Sequence, residues 1–360
     1  MNILARVGAA LTRREPAAPA PVAAPAEAFD EAGYLAANAD VRAAVSAGLV
    51  TSGATHYAAF GKAEGRPLGL RVARTVAELD REVERLHAIG QRSMSEWLRA
   101  RAGLTFQEDV AALPGDPFSA EYRAAQMALY CLLSGRERYD APTAEAYSMP
   151  IKDFVDPTPY PFSSRDGGLI GSHLVAVGHI MQTVWQRRPE AGLSVLEYGC
   201  GTGLTTVMLA ASGYRMTAVD INPDMLEVVR RVARDRRLVV RTHRGEFGEV
   251  PDQSERFDII LFYEAFHHCL DFEGLLTRLH DRLAPGGLLI LAGEPVFADF
   301  PKPWGLRLDG AALYDIRRSG WLELGFREDF FQELMARTGW RCEKLARPPA
   351  PDLFVATPVR

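Results

Sequence analysis

From about residue 194 onward, apolar positions alternate between short continuous runs and helical spacing. Val195–Tyr198, Met216–Val219, Leu238–Thr242, Phe257–Phe262 and Leu288–Ala292 read as buried strands. Leu204–Ala211 and Glu273–Leu283 between them read as helices, the second stopped by Pro285-Gly286-Gly287 as a turn before the last strand. Strand alternating with helix at this spacing predicts a parallel α/β sheet. Near the carboxyl end, a helix over Phe330–Thr338 and strands over Trp340–Leu345 and Leu353–Thr357 are expected. Between Gly293 and Arg327 lies an aromatic-rich stretch too long for a turn, so 294–327 is an insertion.

The first half has a different rhythm. Tyr34, Leu35, Val41, Val45 and Leu49 recur at helical spacing, punctuated by Gly48, Gly53, Gly61 and Gly65, and predict a small helical module over 29–70. Val76, Leu79, Val83 and Leu86 form one stripe in a second, helical region, 71–167, which turns extended and proline-rich from Tyr139 toward Asp166. Leu169–Arg187 is helical again and leads into the α/β unit, 168–360. Residues 1–28, with the Pro/Ala text EPAAPAPVAAPAEA, cannot bury a core and read as a flexible tail.

Composition narrows the class without naming a function. The 360 residues are 48% hydrophobic and 24% charged, an ordinary globular balance for about two domains. A net charge of -5 offers no global cation to polyphosphate, so no nucleic-acid partner is expected. The four cysteines form no CxxC pair, and no apolar run reaches the roughly 18 residues of a membrane-spanning helix. MNILARVGAALTRR is too short and too interrupted by Arg6 for a secretory core, so a cytoplasmic location is expected.

The chemistry concentrates in Ser194-Val-Leu-Glu-Tyr-Gly-Cys-Gly-Thr-Gly. Gly199, Gly201 and Gly203 fall at a strand-to-helix crossover, where the backbone must turn tightly and let a ligand approach. Asp220 follows the next strand, at the distance of about twenty residues expected for an acid that reaches ribose hydroxyls. The GxGxG spacing differs from the GxGxxG that seats a dinucleotide, which disfavours a nicotinamide enzyme.

With VLEYGCGTG, AVDINP, GEFGEVP, FDIILFYEAFHHCLD and LAPGGLLIL in order, the chain from about Gly168 resembles the class I S-adenosylmethionine-dependent methyltransferases. That resemblance implies a Rossmann-like seven-stranded sheet with helices on both faces, here preceded by an all-α amino-terminal region. It implies that Glu197 with Gly199, Gly201 and Gly203 faces the methionyl end of the cofactor and Asp220 the ribose. Ile221 would lie on the adenine face, and Glu246 with Phe247 at its edge and ring; Glu246 replaces the more usual aspartate. A scaffold that keeps the fold for binding alone is the competing class, disfavoured by the intact glycine loop and Asp220.

A hydroxyl acceptor needs a base. The EAFHHCLD text resembles the ESLHHxxD segment of bacterial small-molecule and sugar O-methyltransferases, in which a histidine serves as base. His267 is the first candidate, His268 the second and Glu264 the third; Asp271 is read as a helix N-cap. No metal is expected, because adjacent histidines do not easily aim both rings at one ion and no third ligand is evident. The acceptor expected is a sugar, glycan precursor or related small molecule, with N- or C-methylation of a lipid or metabolite as the alternative.

The 29–66 module adds to that picture. Phe29, Asp30, Tyr34, Leu35, Asn38, Asp40, Val41, His56, Tyr57, Gly61, Glu64, Gly65 and Arg66 resemble a short repeat of bacterial surface-glycan glycosyltransferases, with Ala39 where proline is usual. The resemblance implies docking to a protein partner or targeting, and His56 is read as a packing residue. The insertion 294–327, with the helices before Gly168, is read as a substrate cover, and simple packing on the sheet is the alternative.

Overall fold

The computed structural model describes residues 29–146, 160–348 and 350–359, so the tail 1–28 and residues 147–159 of the proline-rich segment fall outside the described residues. A seven-stranded sheet dominates the second half. Its strands are β1 Ser194–Tyr198, β2 Arg215–Asp220, β3 Val240–Arg244, β4 Phe257–Tyr263, β5 Leu283–Ala292, β6 Trp340–Leu345 and β7 Leu353–Pro358. They lie in the order β6-β7-β5-β4-β1-β2-β3, with β7 alone antiparallel to its neighbours. The chain leaves β1 in one direction and returns at β4 on its other side, so a crevice opens beyond the carboxyl ends of these two strands.

Alternation along each strand fills both faces. Val195, Ile259, Leu261 and Ile290 pack with Ile180, Val184 and Leu209 from the helices Gly167–Arg187 and Leu204–Ala211. Leu196, Ile260, Phe262, Leu289 and Leu291 pack on the opposite side with Phe272, Leu276, Phe331 and Leu334 from the helices Phe272–Leu279 and Glu328–Arg337. Strands buried on both faces are the reason the sequence shows continuous apolar runs there.

Two boundaries differ from the sequence expectation. The helix after β4 ends at Leu279, and Pro285-Gly286-Gly287 lies inside β5, where the ladder jumps from Phe257 opposite Leu283 to Ile259 opposite Leu288. Gly286, at φ 76°, takes the left-handed bend, so the PGG text makes a bulge within the strand. β3 starts at Val240, because Leu238 belongs to the preceding helix end: its N–H donates to the Ala233 carbonyl at 2.8 Å past Arg237 at φ 55°.

The amino-terminal half is not purely helical. Arg71–Ala73 and Leu104–Phe106 pair as parallel strands among the helices Val76–Gly90, Met94–Ala100 and Ala120–Ser134. Propensity over three residues is too weak to reveal them; tertiary pairing decides. The insertion forms its own three-stranded sheet from 296–297, 304–306 and 324–327 and the helix Gly310–Ser319. It docks on the upstream helices: Tyr122 Oη donates to the Trp304 carbonyl at 2.8 Å, Trp304 Nε1 to Pro117 at 2.7 Å, and Arg317 pairs with Asp80 at 2.6 Å. Leu79, Leu86, Tyr122, Leu313 and Ile316 share one apolar core with the sheet.

Lys302 ties this unit together. It is fully buried, with Nζ 2.5 Å from Glu108 and 3.4 Å from Gln126, which also accepts the Leu306 N–H. Lys302→Ala strands a buried carboxylate and is expected to cost about 3–5 kcal/mol in denaturant unfolding. Lys302→Met combined with Glu108→Leu should recover most of that loss.

In the amino-terminal module, the Glu31 carboxylate accepts the Gly53 and Ala54 N–H groups at 2.6 and 2.8 Å and so closes one short helix on another. His56 Nδ1 meets the buried Tyr34 hydroxyl at 3.0 Å, a packing contact. Among the described residues no helix is long and apolar enough to cross a membrane.

Candidate active site

A cavity of about 700 Å³ occupies the crevice beyond β1, β2 and β4. Of the expected cofactor residues, Glu197, Gly199, Gly201, Asp220, Ile221, Glu246 and Phe247 line it; Gly203 does not. Gly201, at φ 50°, has open space where a Cβ would stand, which leaves its backbone free to meet a ligand. A Cβ on Gly203 would instead come within 2.7 Å of Val229, so this glycine lets the helices Leu204–Ala211 and Pro223–Asp235 pack closely.

Asp220 braces the loop. Its two oxygens accept the Gly201 N–H at 2.9 Å and the Asn222 N–H at 2.8 Å; burial pushes its carboxyl up, and these bonds oppose the shift. Glu197 ends β1 fully buried and receives the Thr206 hydroxyl. Burial first, and the charge of Asp220 after it, push Glu197 up to about 8. A buried acid at this position, beside the acid Asp220, suits a cationic ligand group. Phe247 is edge-on to Tyr198 and Phe262, so its ring is held by the β1 and β4 core while facing the cavity.

The other end of the cavity is acidic. Glu264 follows β4 in the left-handed conformation at φ 50°, its N–H donating to Ala292 at 2.9 Å. This conformation is uncommon in a non-glycine residue and carries a conformational cost. Burial, followed by the charge of Glu294, pushes its carboxyl up to about 7. His268 lines the wall with Nδ1 3.3 Å from Glu145. Burial opposes its protonation, but Glu145, Glu323 and Glu294 outweigh burial and hold it at about 9.

His267 stands behind that wall, 6% exposed. Its Nδ1 lies 2.8 Å from Glu294, and its Nε2 lies 3.7 Å from Glu323. Glu294 also accepts the N–H groups of Ala265, Phe266 and His267 at 3.0–3.1 Å; burial raises its carboxyl, but the His267 ring first, and the Ala265 and Phe266 N–H groups after it, hold it low. Asp271 accepts the Gly274 N–H at 3.2 Å as the cap of the following helix and pairs with Arg278.

Sequence reasoning missed several wall residues. Tyr139 and Glu145 come from the upstream region, with the Tyr139 hydroxyl 3.0 Å from Glu145 and the Leu322 N–H 2.8 Å from the same oxygen. His173 joins the Tyr160 and Tyr263 hydroxyls at 3.1 and 2.7 Å. Glu294 could have been found, since it lies two residues past the end of β5. Glu145 and Glu323 carry no motif, and only folding brings them to the histidines.

Residues 195–287 match the family model described as a methyltransferase domain. The ubiquinone biosynthesis O-methyltransferase of Azorhizobium caulinodans is 33% identical over 118 residues, 33% of this chain and 47% of that protein. The demethylmenaquinone methyltransferase of Tropheryma whipplei is 35% identical over 101 residues, 28% of this chain and 41% of that protein. The chain thus spans about half the length of the curated relatives it matches. Among solved structures, the magnesium protoporphyrin IX methyltransferase of Synechocystis PCC 6803 with bound S-adenosylmethionine is 14% identical, with a TM-score of 0.44 over 61% of this chain and 98% of that one. The chain carries a class I S-adenosylmethionine-dependent methyltransferase domain, and S-adenosylmethionine is the cofactor of that class. The open space at Gly201, the buried acid Glu197 and the braced Asp220 fit that cofactor.

Proposed function

We propose that this protein transfers a methyl group from S-adenosylmethionine to a hydroxyl of a small polar molecule, a sugar or glycan precursor first among them. The reading is carried by one observation: the glycine and acid cradle and the acidic, histidine-bearing wall share one cavity. In this reading Glu197 takes the cofactor's ammonium, Asp220 its ribose, Ile221 the adenine face, and Glu246 and Phe247 the adenine edge and ring. The cofactor supplies a methyl on a sulfonium: as the S–CH3 bond breaks, the O–CH3 bond forms, and S-adenosylhomocysteine leaves.

The chain must then align the acceptor oxygen, exclude water and take the hydroxyl proton. Glu264 is the base in this proposal. It lines the cavity, and a carboxyl near 7 is divided between its two forms at neutral pH. His268, held at about 9, is mostly protonated there, and His267 lies off the wall. The upstream helices and the insertion supply the cover through Tyr139, Glu145 and Trp321, and residues 29–66 serve docking.

A quinol acceptor is the second reading, favoured by the 33% identity to a ubiquinone biosynthesis O-methyltransferase. Titration calorimetry should show S-adenosylmethionine binding that Asp220→Ala weakens roughly 10–100-fold, the worth of one or two hydrogen bonds to a charged group. No binding by the wild type would sink the proposal. S-adenosylhomocysteine release with sugar nucleotides, compared with a short-chain catechol quinol, then separates the two acceptors.

A further inference from the structure

We propose that His267, His268 and Glu323 form a binding site for one divalent transition-metal ion, placed at the acceptor end of the cavity. The inference rests on the methyltransferase reading above and adds a group that it does not require. One ligating atom from each residue lies within 4.8 Å of the others, and His267 Nε2 is 3.7 Å from Glu323 Oε2. Ligands around a tetrahedral ion at about 2.0–2.2 Å stand roughly 3.3–3.6 Å apart, so small side-chain shifts close the site.

The surroundings are arranged for lone pairs to converge. Glu294 accepts three backbone N–H groups and faces His267 Nδ1 at 2.8 Å, which assigns the ring proton to Nδ1 and leaves Nε2 as a donor of electrons. A carboxylate behind a ligating imidazole is the usual support for a metal-bound histidine. With that tautomer, Nε2 and the Glu323 oxygen face one another as two acceptors, an arrangement that a cation between them relieves. His268 Nδ1 is buried without an aligned hydrogen bond, although Glu145 lies 3.3 Å away.

Charge points the same way. Glu145, Glu294 and Glu323 surround the histidines; Glu145, together with Glu264, faces the cavity, and Glu294 and Glu323 lie behind its wall with His267. Arg307 is 3.4 Å from Glu323 but is committed to Asp309 through two bonds of 2.9 and 3.1 Å. An ion between the histidines and Glu323 would take the place of the proton on His268 and add positive charge among these carboxylates. Two imidazoles and a carboxylate without thiolate select zinc or cobalt over the oxygen-seeking magnesium and calcium.

Three protein ligands leave a coordination position open for an acceptor oxygen. His268 is the ligand on the cavity wall, where an acceptor would arrive. A hydroxyl bound there becomes more acidic. Its O–H bond would then break with the proton passing to Glu264, and the oxygen's electron pair would form the O–CH3 bond as the S–CH3 bond breaks and S-adenosylhomocysteine leaves.

The test uses the full chain stripped with a chelator and titrated with cobalt(II) chloride, followed by calorimetry and visible absorption; S-adenosylmethionine affinity is measured on the same samples. One equivalent of cobalt should bind, with the ligand-field absorption of a nitrogen- and oxygen-ligated ion. Zinc should displace it and magnesium should not. Glu323→Gln, which keeps side-chain size, should weaken binding at least tenfold, and Glu294→Gln about 10–100-fold. If the wild type binds cobalt no better than Glu323→Gln while both bind S-adenosylmethionine, the site is overturned, and imidazolium–carboxylate pairs alone balance the cluster. If the wild type binds cobalt but no S-adenosylmethionine, the metal site stands and the methyltransferase reading falls.

Discussion

S-adenosylmethionine affinity is expected to rise about tenfold per pH unit between pH 5.5 and 7.5, and to lose that dependence in Glu197→Gln. The cause is the raised carboxyl of Glu197, about 8 in the free protein against 4.5 for an ordinary glutamate. In that window the folded protein holds the proton, and pairing with the cofactor's ammonium requires its release. The range stays below the cofactor's own α-amino titration, near 7.7–8.0. Calorimetry in buffers of different ionisation enthalpy should therefore register close to one proton released per binding event at pH 7, and none for the variant. A wild-type affinity flat across this range would remove Glu197 from the ammonium site.

The same shift has a consequence for the ligand-free protein. An acid whose folded value is raised binds more protons folded than unfolded, so stability is greatest below 4.5 and falls as pH rises toward 8. Glu197→Gln removes that loss. Without cofactor, the variant should therefore be the more stable protein at pH 8, by roughly 2–4 kcal/mol. A variant weaker in binding but stronger in folding is the mark of a group held for function.

Glu264→Gln is expected to lower kcat about 10²–10⁴-fold, the usual worth of a positioned general base, while leaving S-adenosylmethionine affinity within a factor of a few. The amide keeps the size and the left-handed backbone at φ 50° but cannot take a proton. Glu264→Asp should retain part of the rate, because a shorter carboxylate still reaches through a water. Full turnover by Glu264→Gln would return the base to the histidines, and His268→Gln would then be the deciding variant. Steady-state rates at saturating cofactor, with calorimetry for binding, separate these outcomes.

The central sheet was legible because each of its signals is local. β1, β2 and β4 are apolar runs flanked by glycine or an acid at the ligand-facing end, and β6 was read to the residue because its flanking turn is sharp. Where a local signal had two meanings, packing chose between them. Pro285-Gly286-Gly287 reads as a helix stop in sequence and is a bulge in β5, since the β4 neighbour supplies the ladder. Gly203 reads as part of a ligand loop and is a contact point for Val229.

By itself, the sequence determined the class of domain, the switch-point crevice and its glycine-and-acid end, because that end is built from residues close to one another along β1, β2 and their loops. Only the tertiary structure decided the acidic end around the histidines. Glu145 arrives from the upstream helices and Glu323 from the insertion, and both meet a histidine pair that lies in neither segment. No periodicity or spacing relates positions so far apart in the chain. They converge because the upstream helices, the insertion and the sheet bury one continuous apolar core, and that burial drives the acids together at its edge.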